Sequence, residues 1–301
     1  MKKILILIAG ILVVSCSNDD SENSNPKRLS SIQERYYHND DINYTSCNYF
    51  FRDGKLNIIQ YNRGDKEQYF YNQQGLVSEI LNFNADNSKV LHSHSTSYSY
   101  DTQGRIIEKN YKGTITNTGE PFNVKTVFTY LVDRIVVEET YDGKLHKGEI
   151  LMNSNKEIFK EIRIPDIYFI AFEYLNGNII KSNRTFSTSQ YTETFSYNTS
   201  KNDYNYLKYV FGKEWKMNAY LNYFNNGTAY IHLQSENLIS EYTSNPRKFE
   251  NTSERTAVYK TKYNYDFNTD NQMNKETQIY SRTIEGITEN LLKIESIYFY
   301  E

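Results

Sequence analysis

One short pattern recurs along this chain and restricts its fold more than any other feature. Tyr69-Phe70-Tyr71-Asn72-Gln73-Gln74-Gly75-Leu76-Val77 is matched by Tyr98-Ser99-Tyr100-Asp101-Thr102-Gln103-Gly104-Arg105-Ile106. Looser copies are Tyr49-Phe50-Phe51-Arg52-Asp53-Gly54-Lys55-Leu56 and Phe172-Glu173-Tyr174-Leu175-Asn176-Gly177-Asn178-Ile179. Degenerate copies are Phe128-Thr129-Tyr130 before Asp133, Phe195-Ser196-Tyr197-Asn198 and Tyr263-Asn264-Tyr265-Asp266. In a strand, an aromatic–x–aromatic triplet places two rings on one face. Asn or Asp then opens a turn by bonding its own backbone, and Gly supplies the positive φ that closes it. The residues after the glycine return as a partner strand, so each copy reads as a β-hairpin and successive hairpins pair into a meander.

Composition agrees. The chain has 29 Tyr and 16 Phe but one Trp and four Pro, a balance that favours sheet. The expected fold is mainly all-β: an antiparallel meander of repeated hairpins in a curved, open or partly closed sheet, whose edges need cover. One stretch departs from the pattern. Between Asp203 and Gly212, Leu207, Val210 and Phe211 stand at helical spacing and Gly212 suits a helix end, which predicts a short helix over 203–212 that plugs one end of the sheet.

These copies resemble the Tyr-Asp (YD, RHS-like) repeats, and the arrangement is similar to Bacteroidota surface lipoproteins with such hairpins. The resemblance covers about residues 30–301 and is clearest between 49 and 111. It implies architecture, not activity: large RHS proteins wrap many repeats around a toxin, and this chain has too few copies for such a shell.

The N-terminal residues carry a different signal. Lys2 and Lys3 precede an apolar run from Ile4 to Val14. As a helix that run would reach about 16 Å, roughly half a hydrocarbon core, so it reads as a cleaved export signal over 1–15. Val13-Val14-Ser15-Cys16 resembles the lipobox of bacterial lipoproteins, which implies a diacylglycerol thioether on Cys16. Residues 16–28, acidic at first, read as a flexible tether, and 29–301 as a single hairpin-repeat domain. The acidic start of the tether is similar to the signal that sends Bacteroidota lipoproteins to the outer face of the outer membrane. The expected location is therefore the outer membrane, surface-exposed, with a periplasm-facing orientation as the alternative.

No residue pattern names an activity. The formal net charge is −3 with both signs interspersed, so the basic stripe that nucleic-acid binding needs is missing. His92 and His94 stand two apart on one strand and would share a face, as two metal ligands can; no HExxH or CxxC motif supports a metal, and the pair reads first as two polar residues on a wet face. Asp266, Asn268 and Asp270 spell the opening of a calcium loop, but Asn271 replaces its glycine and Tyr265-Asp266 also fits the repeat's own turn. Cys47, on the parity of Tyr49 and Phe51, reads as a buried packing residue. Trp215, Tyr98, Tyr100 and Tyr111 are the candidate ligand-contact aromatics, since flat rings stack on sugars and anchor protein interfaces; cross-strand packing is the competing role. No catalytic residue and no cofactor beyond the lipid is expected. The reading is a membrane-anchored binding or adhesion module for glycan or an envelope protein. The alternatives are a carrier or envelope-assembly factor that holds a lipid or protein in a curled sheet and, further off, a hydrolase.

Overall fold

A computed structural model describes residues 27–38, 46–83, 94–114, 118–164, 168–186, 189–202, 206–222, 234–245, 247–248 and 256–301. Eighteen strands run in chain order: β1 (Leu29–His38), β2 (Ser46–Arg52), β3 (Lys55–Tyr61), β4 (Lys66–Tyr71), β5 (Val77–Phe83), β6 (Ser95–Tyr100), β7 (Ile106–Thr114), β8 (Pro121–Tyr130) and β9 (Arg134–Tyr141). They continue as β10 (Lys144–Met152), β11 (Ile158–Ile164), β12 (Tyr168–Leu175), β13 (Asn178–Phe186), β14 (Ser189–Lys201), β15 (Asn237–Ser244), β16 (Thr256–Phe267), β17 (Met273–Ile284) and β18 (Ile287–Tyr300). Arg247–Lys248 extends β15 along β16.

The sequence suggests an open or partly closed sheet, but the sheet closes completely. Each strand pairs antiparallel with its neighbours, and β1 pairs with both β2 and β18, from Leu29↔Tyr300 to His38↔Leu292. The result is a closed barrel. The Arg28 N–H donates to Glu301 O at 2.8 Å and the Glu301 N–H to Arg28 O at 2.9 Å. Tyr298-Phe299-Tyr300 is a further copy of the repeat whose return strand is the first strand of the chain. Closure removes both sheet edges at once.

The turns form as the sequence requires. Asn72 Oδ1 accepts the Gln74 and Leu76 N–H groups at 3.0 Å each, and Asp101, Asn153 and Asn268 repeat this arrangement. The closing position has positive φ: Gly75 (79°), Gly104 (81°), and without glycine Lys156 (65°) and Asn271 (57°).

The second aromatic of the triplet has a separate task. The hydroxyls of Tyr71, Tyr100, Tyr130, Tyr174, Tyr197, Tyr265 and Tyr300 donate to Leu56, Val77, Ile106, Ile158, Ile179, Ile239 and Met273 carbonyls, at 2.6–2.9 Å. Each tyrosine thereby ties its hairpin to the one before. Phe51 and Met152 occupy the two remaining equivalent positions and have no hydroxyl to give. Tyr100→Phe is expected to lose about 1–2 kcal/mol by leaving the Val77 carbonyl unpaired, measured by urea denaturation; an unchanged midpoint would show the bond to be ornamental.

The helix predicted over 203–212 is found from Lys208. α1 (Lys208–Phe211) ends at Gly212 (φ 65°), a 3₁₀ turn follows, and α2 (Trp215–Asn222), which the sequence reading missed, extends the plug. Leu207, Val210, Phe211, Trp215, Ala219, Tyr220 and Leu221 are buried. Phe211 meets the Tyr98 ring edge-on at 6.0 Å, and Tyr209 meets Phe51 at 5.3 Å. Asn218 pins the plug to a hairpin: its Oδ1 accepts the Ile106 N–H at 2.9 Å and its Nδ2 donates to Gly104 O at 2.8 Å. The helices thus close the end of the barrel that carries the repeated turns.

Candidate binding lumen

Alternation alone misassigns the inward face, because most return strands carry a bulge just after the turn. The inward residues there step by three before resuming twos, as in Ile106, Lys109, Tyr111. Followed around the barrel, this gives layers. The layer nearest the turns is aliphatic: Leu29, Leu56, Val77, Ile106, Ile135, Ile158, Ile179, Ile239 and Met273, all buried. The third layer on the same strands is polar at every hairpin: Glu34, Tyr61, Asn82, Tyr111, Glu139, Arg163, Arg184, Ser244 and Gln278. All of these except Ser244 point inward yet retain accessible surface, so solvent reaches a lumen beyond the plug.

Two groups of charges line it. On one side, Glu276, Ser296, Glu34 and Cys47 form a single row across four neighbouring strands. Glu34 and Glu276 stand two strands apart, about 10 Å between backbones. The Tyr36 hydroxyl donates to Glu34 at 2.9 Å, and Gln278 Nε2 donates to Glu276 at 2.8 Å. Burial raises both carboxyls, and the charge of Glu34 helps push Glu276 up to about 7. Cys47 is buried, and its thiol is pushed up to about 12 by burial and by Glu34. It is therefore a protonated packing residue at neutral pH, not a thiolate.

On the other side the acids are paired. Arg163 Nε lies 2.6 Å from Glu161 Oε1, and the Tyr220 hydroxyl of the plug donates to the same carboxylate. Arg184 grips both oxygens of Glu193, which also accepts from Ser182 (2.9 Å) and Tyr242 (2.7 Å). Burial would raise Glu193, but Arg184 and these hydroxyls outweigh it and hold the carboxyl below its usual range. Lys109 donates to Asn222 O at 2.8 Å, at the C-terminus of α2, where the dipole favours a cation. Its amine is lowered to about 8 by burial, against the pull of Glu139.

The residues singled out from the sequence are dispersed. Cys16 and His92 lie outside the described residues. Trp215 is buried in the plug, and Tyr98 is buried with its hydroxyl on Asn222 Oδ1 at 2.7 Å. Tyr100 is one of the tying tyrosines. These rings serve the interior, so no outward stacking face is built from them. Tyr111 remains on the lumen wall, where His94 (5.4 Å) and Phe122 (5.2 Å) pack on it. His94 rests on Gly113, where a Cβ would come within 2.1 Å of Nδ1, and that buried nitrogen has no hydrogen-bond partner among the described residues. Asn268 spends its side-chain oxygen on its own turn, while Asp270 is exposed and Asp266 lies opposite Lys275 in the strand pair. Among the described residues no three His, Cys, Asp or Glu side chains converge as a metal cage requires. Sequence reading missed Glu34 and Glu276 altogether; only ring closure makes them neighbours.

No protein-family model and no curated protein matches the chain. Among solved structures it is similar to a porin-like protein from Bacteroides uniformis, at 11% identity and a TM-score of 0.45, covering 92% of this chain and 98% of that one. A porin-like protein from Bacteroides vulgatus matches at 10% identity and a TM-score of 0.39, covering 91% and 99%. TcdB2–TccC3 matches at 11% identity and a TM-score of 0.28, over 84% of this chain and 15% of that one.

Proposed function

We propose that the chain is a lipid-anchored extracytoplasmic barrel that binds a polar ligand, of glycan type, inside its lumen. The observation that carries this reading is the third inner layer, polar at all nine hairpins and, except at Ser244, reached by solvent. Tyrosine rings beside carboxylates and guanidinium groups offer stacking and hydrogen bonds together, which suits a hydroxyl-rich ligand. A lipid carrier is supported less well, since the apolar layers are already filled by the plug. A pore is supported less well again. The outer wall carries cross-strand ion pairs: Lys125–Glu108, Lys147–Glu138, Lys181–Glu173 and Lys260–Glu241, at 2.6–2.8 Å. A lysine at the lipid-facing midplane of a barrel costs about 2–4 kcal/mol, so such a wall belongs in water.

The lipid anchor rests on Cys16, and the outward-facing site on the acidic tether. In Cys16→Ala cells, palmitate labelling is expected to disappear; protease added to intact cells should degrade the wild-type protein, whereas protection would place it facing the periplasm. For the ligand, Tyr111→Ala is expected to lower retention on a glycan array at least tenfold while leaving the unfolding midpoint within a small margin. Retention unaffected by Tyr111→Ala and by Arg163→Gln, or absent in the wild type, would refute a luminal glycan site.

A further inference from the structure

The middle residue of each aromatic–x–aromatic triplet points away from the lumen, onto the outer wall. In six copies it is Ser99, Thr129, Leu151, Glu173, Ser196 or Asn264. In the other three it is Phe50, Phe70 or Phe299, exposed by 41%, 38% and 46%. In sequence these three are scattered, two near the start and one at the end. Closure brings them onto one wall at intervals of two strands. Phe299 lies opposite Ser31, Ser31 opposite Phe50, Phe50 opposite Ile58 and Ile58 opposite Gln68, with Phe70 two residues further along that strand. Three rings and Ile58 thus form one apolar patch across β18, β1, β2, β3 and β4.

We propose that this patch rests on the surface of the membrane that holds Cys16; the proposal depends on the lipid-anchor reading above. The chain outside the barrel joins it here, since Arg28 is hydrogen-bonded to Glu301, two residues beyond Phe299. Arg28 stands twelve residue steps after Cys16, and an extended chain of that length reaches at most about 40 Å. A lipid on Cys16 therefore keeps this side of the barrel within about 40 Å of the bilayer. Lys27, Arg28 and Arg52 are exposed around the patch and attract anionic headgroups, opposed by Asp53, Glu79 and Glu301. The three basic and three acidic groups balance, so the phenylalanines, which suit the headgroup boundary, carry the contact. A cluster of exposed aromatic rings on one stretch of the outer wall marks an interaction site, and the tether selects its occupant.

The test uses the full lipidated chain in vesicles of phosphatidylethanolamine and phosphatidylglycerol at 3:1. An environment-sensitive fluorophore is placed on Phe50→Cys, on Phe299→Cys and, as the distant control, on Ser196→Cys; buried Cys47 stays unlabelled in the folded protein. Emission at 50 and 299 is expected to shift to the blue and to be quenched at least twofold by spin-labelled lipid, with neither change at 196. Vesicle-bound protein whose three labels behave alike overturns the docking and leaves the anchor standing. A shift at 50 that appears without vesicles as protein concentration rises assigns the patch to a second copy and also overturns it. Failure to float with vesicles together with an unmodified Cys16 refutes the anchor, and the docking with it.

Discussion

Replacing Arg184 with methionine is expected to cost about 3–5 kcal/mol, the usual penalty for leaving one member of a buried ion pair alone. Glu193 has 1% of its side chain exposed and Arg184 17%, so water compensates the stranded carboxylate only in part. The effect depends on pH in a defined direction. In the wild type the Glu193 carboxyl is lowered, so its contribution is present above the unfolded carboxyl range and is lost as pH falls. In the variant the stranded carboxyl is pushed upward instead and takes a proton to escape burial. The deficit should therefore be large at pH 7 and shrink towards pH 4. Urea denaturation at both values checks this. A pH-independent deficit would mean that packing of the arginine stem, not its charge, holds this wall. Adding Glu193→Leu to Arg184→Met should recover much of the loss, since the unpaired charge goes with it.

Glu276→Gln is expected to act in the opposite sense and to stabilise the barrel at neutral pH. Its carboxyl is raised from 4.5 to about 7 by burial, with Glu34 adding to the push. A raised carboxyl is fully tolerated below the unfolded value, where both states hold the proton. Between about 4.5 and 7 the unfolded chain releases its proton first, so stability falls as pH rises through that window. Above it the loss is constant, about 2 kcal/mol after allowing for water in the lumen. The glutamine variant lacks this term: it should match the wild type near pH 4.5 and exceed it by about that amount at pH 8. Equal slopes in the two proteins would contradict the assignment. If the proposed ligand bonds to Glu276, the same variant should lose affinity while gaining stability, the exchange expected where a strained group is kept for function.

Much of the local structure was legible because its causes are local. Tyr98, Tyr100, Asp101 and Gly104 each act within a few residues, so their hairpin could be read from a nine-residue string. The ring could not. Its closing copy, Tyr298-Phe299-Tyr300, has no turn after it, because its partner is Leu29 at the far end of the chain. The copy at Ile150–Met152 has aliphatic and thioether side chains where the rings should be, and escapes an aromatic search. The lumen was hidden for a further reason. A bulge after the turn moves Lys109 inward where strict alternation from Ile106 would put it outside, so polarity at these positions looks like ordinary solvent exposure. Trp215 is a candidate in the sequence because a flat ring can stack on a ligand, yet a ring that large also suits a plug. Glu34 and Glu276, 242 residues apart, become neighbours only across the seam.

That seam also sets an order of assembly. A chain delivered from its N-terminus presents Leu29 to His38 long before the strand that must close against them, so the first strand waits with one flank unoccupied until the final fourteen-residue strand arrives. Every other pairing joins near neighbours, while this one closes almost the whole chain into a loop and is the slowest contact to find. A chain cut short before Ile287 would retain most of its hairpins and still expose two bare flanks. Two such chains can satisfy each other, which makes premature truncation a route to exchanged pairs and aggregates rather than to a smaller barrel.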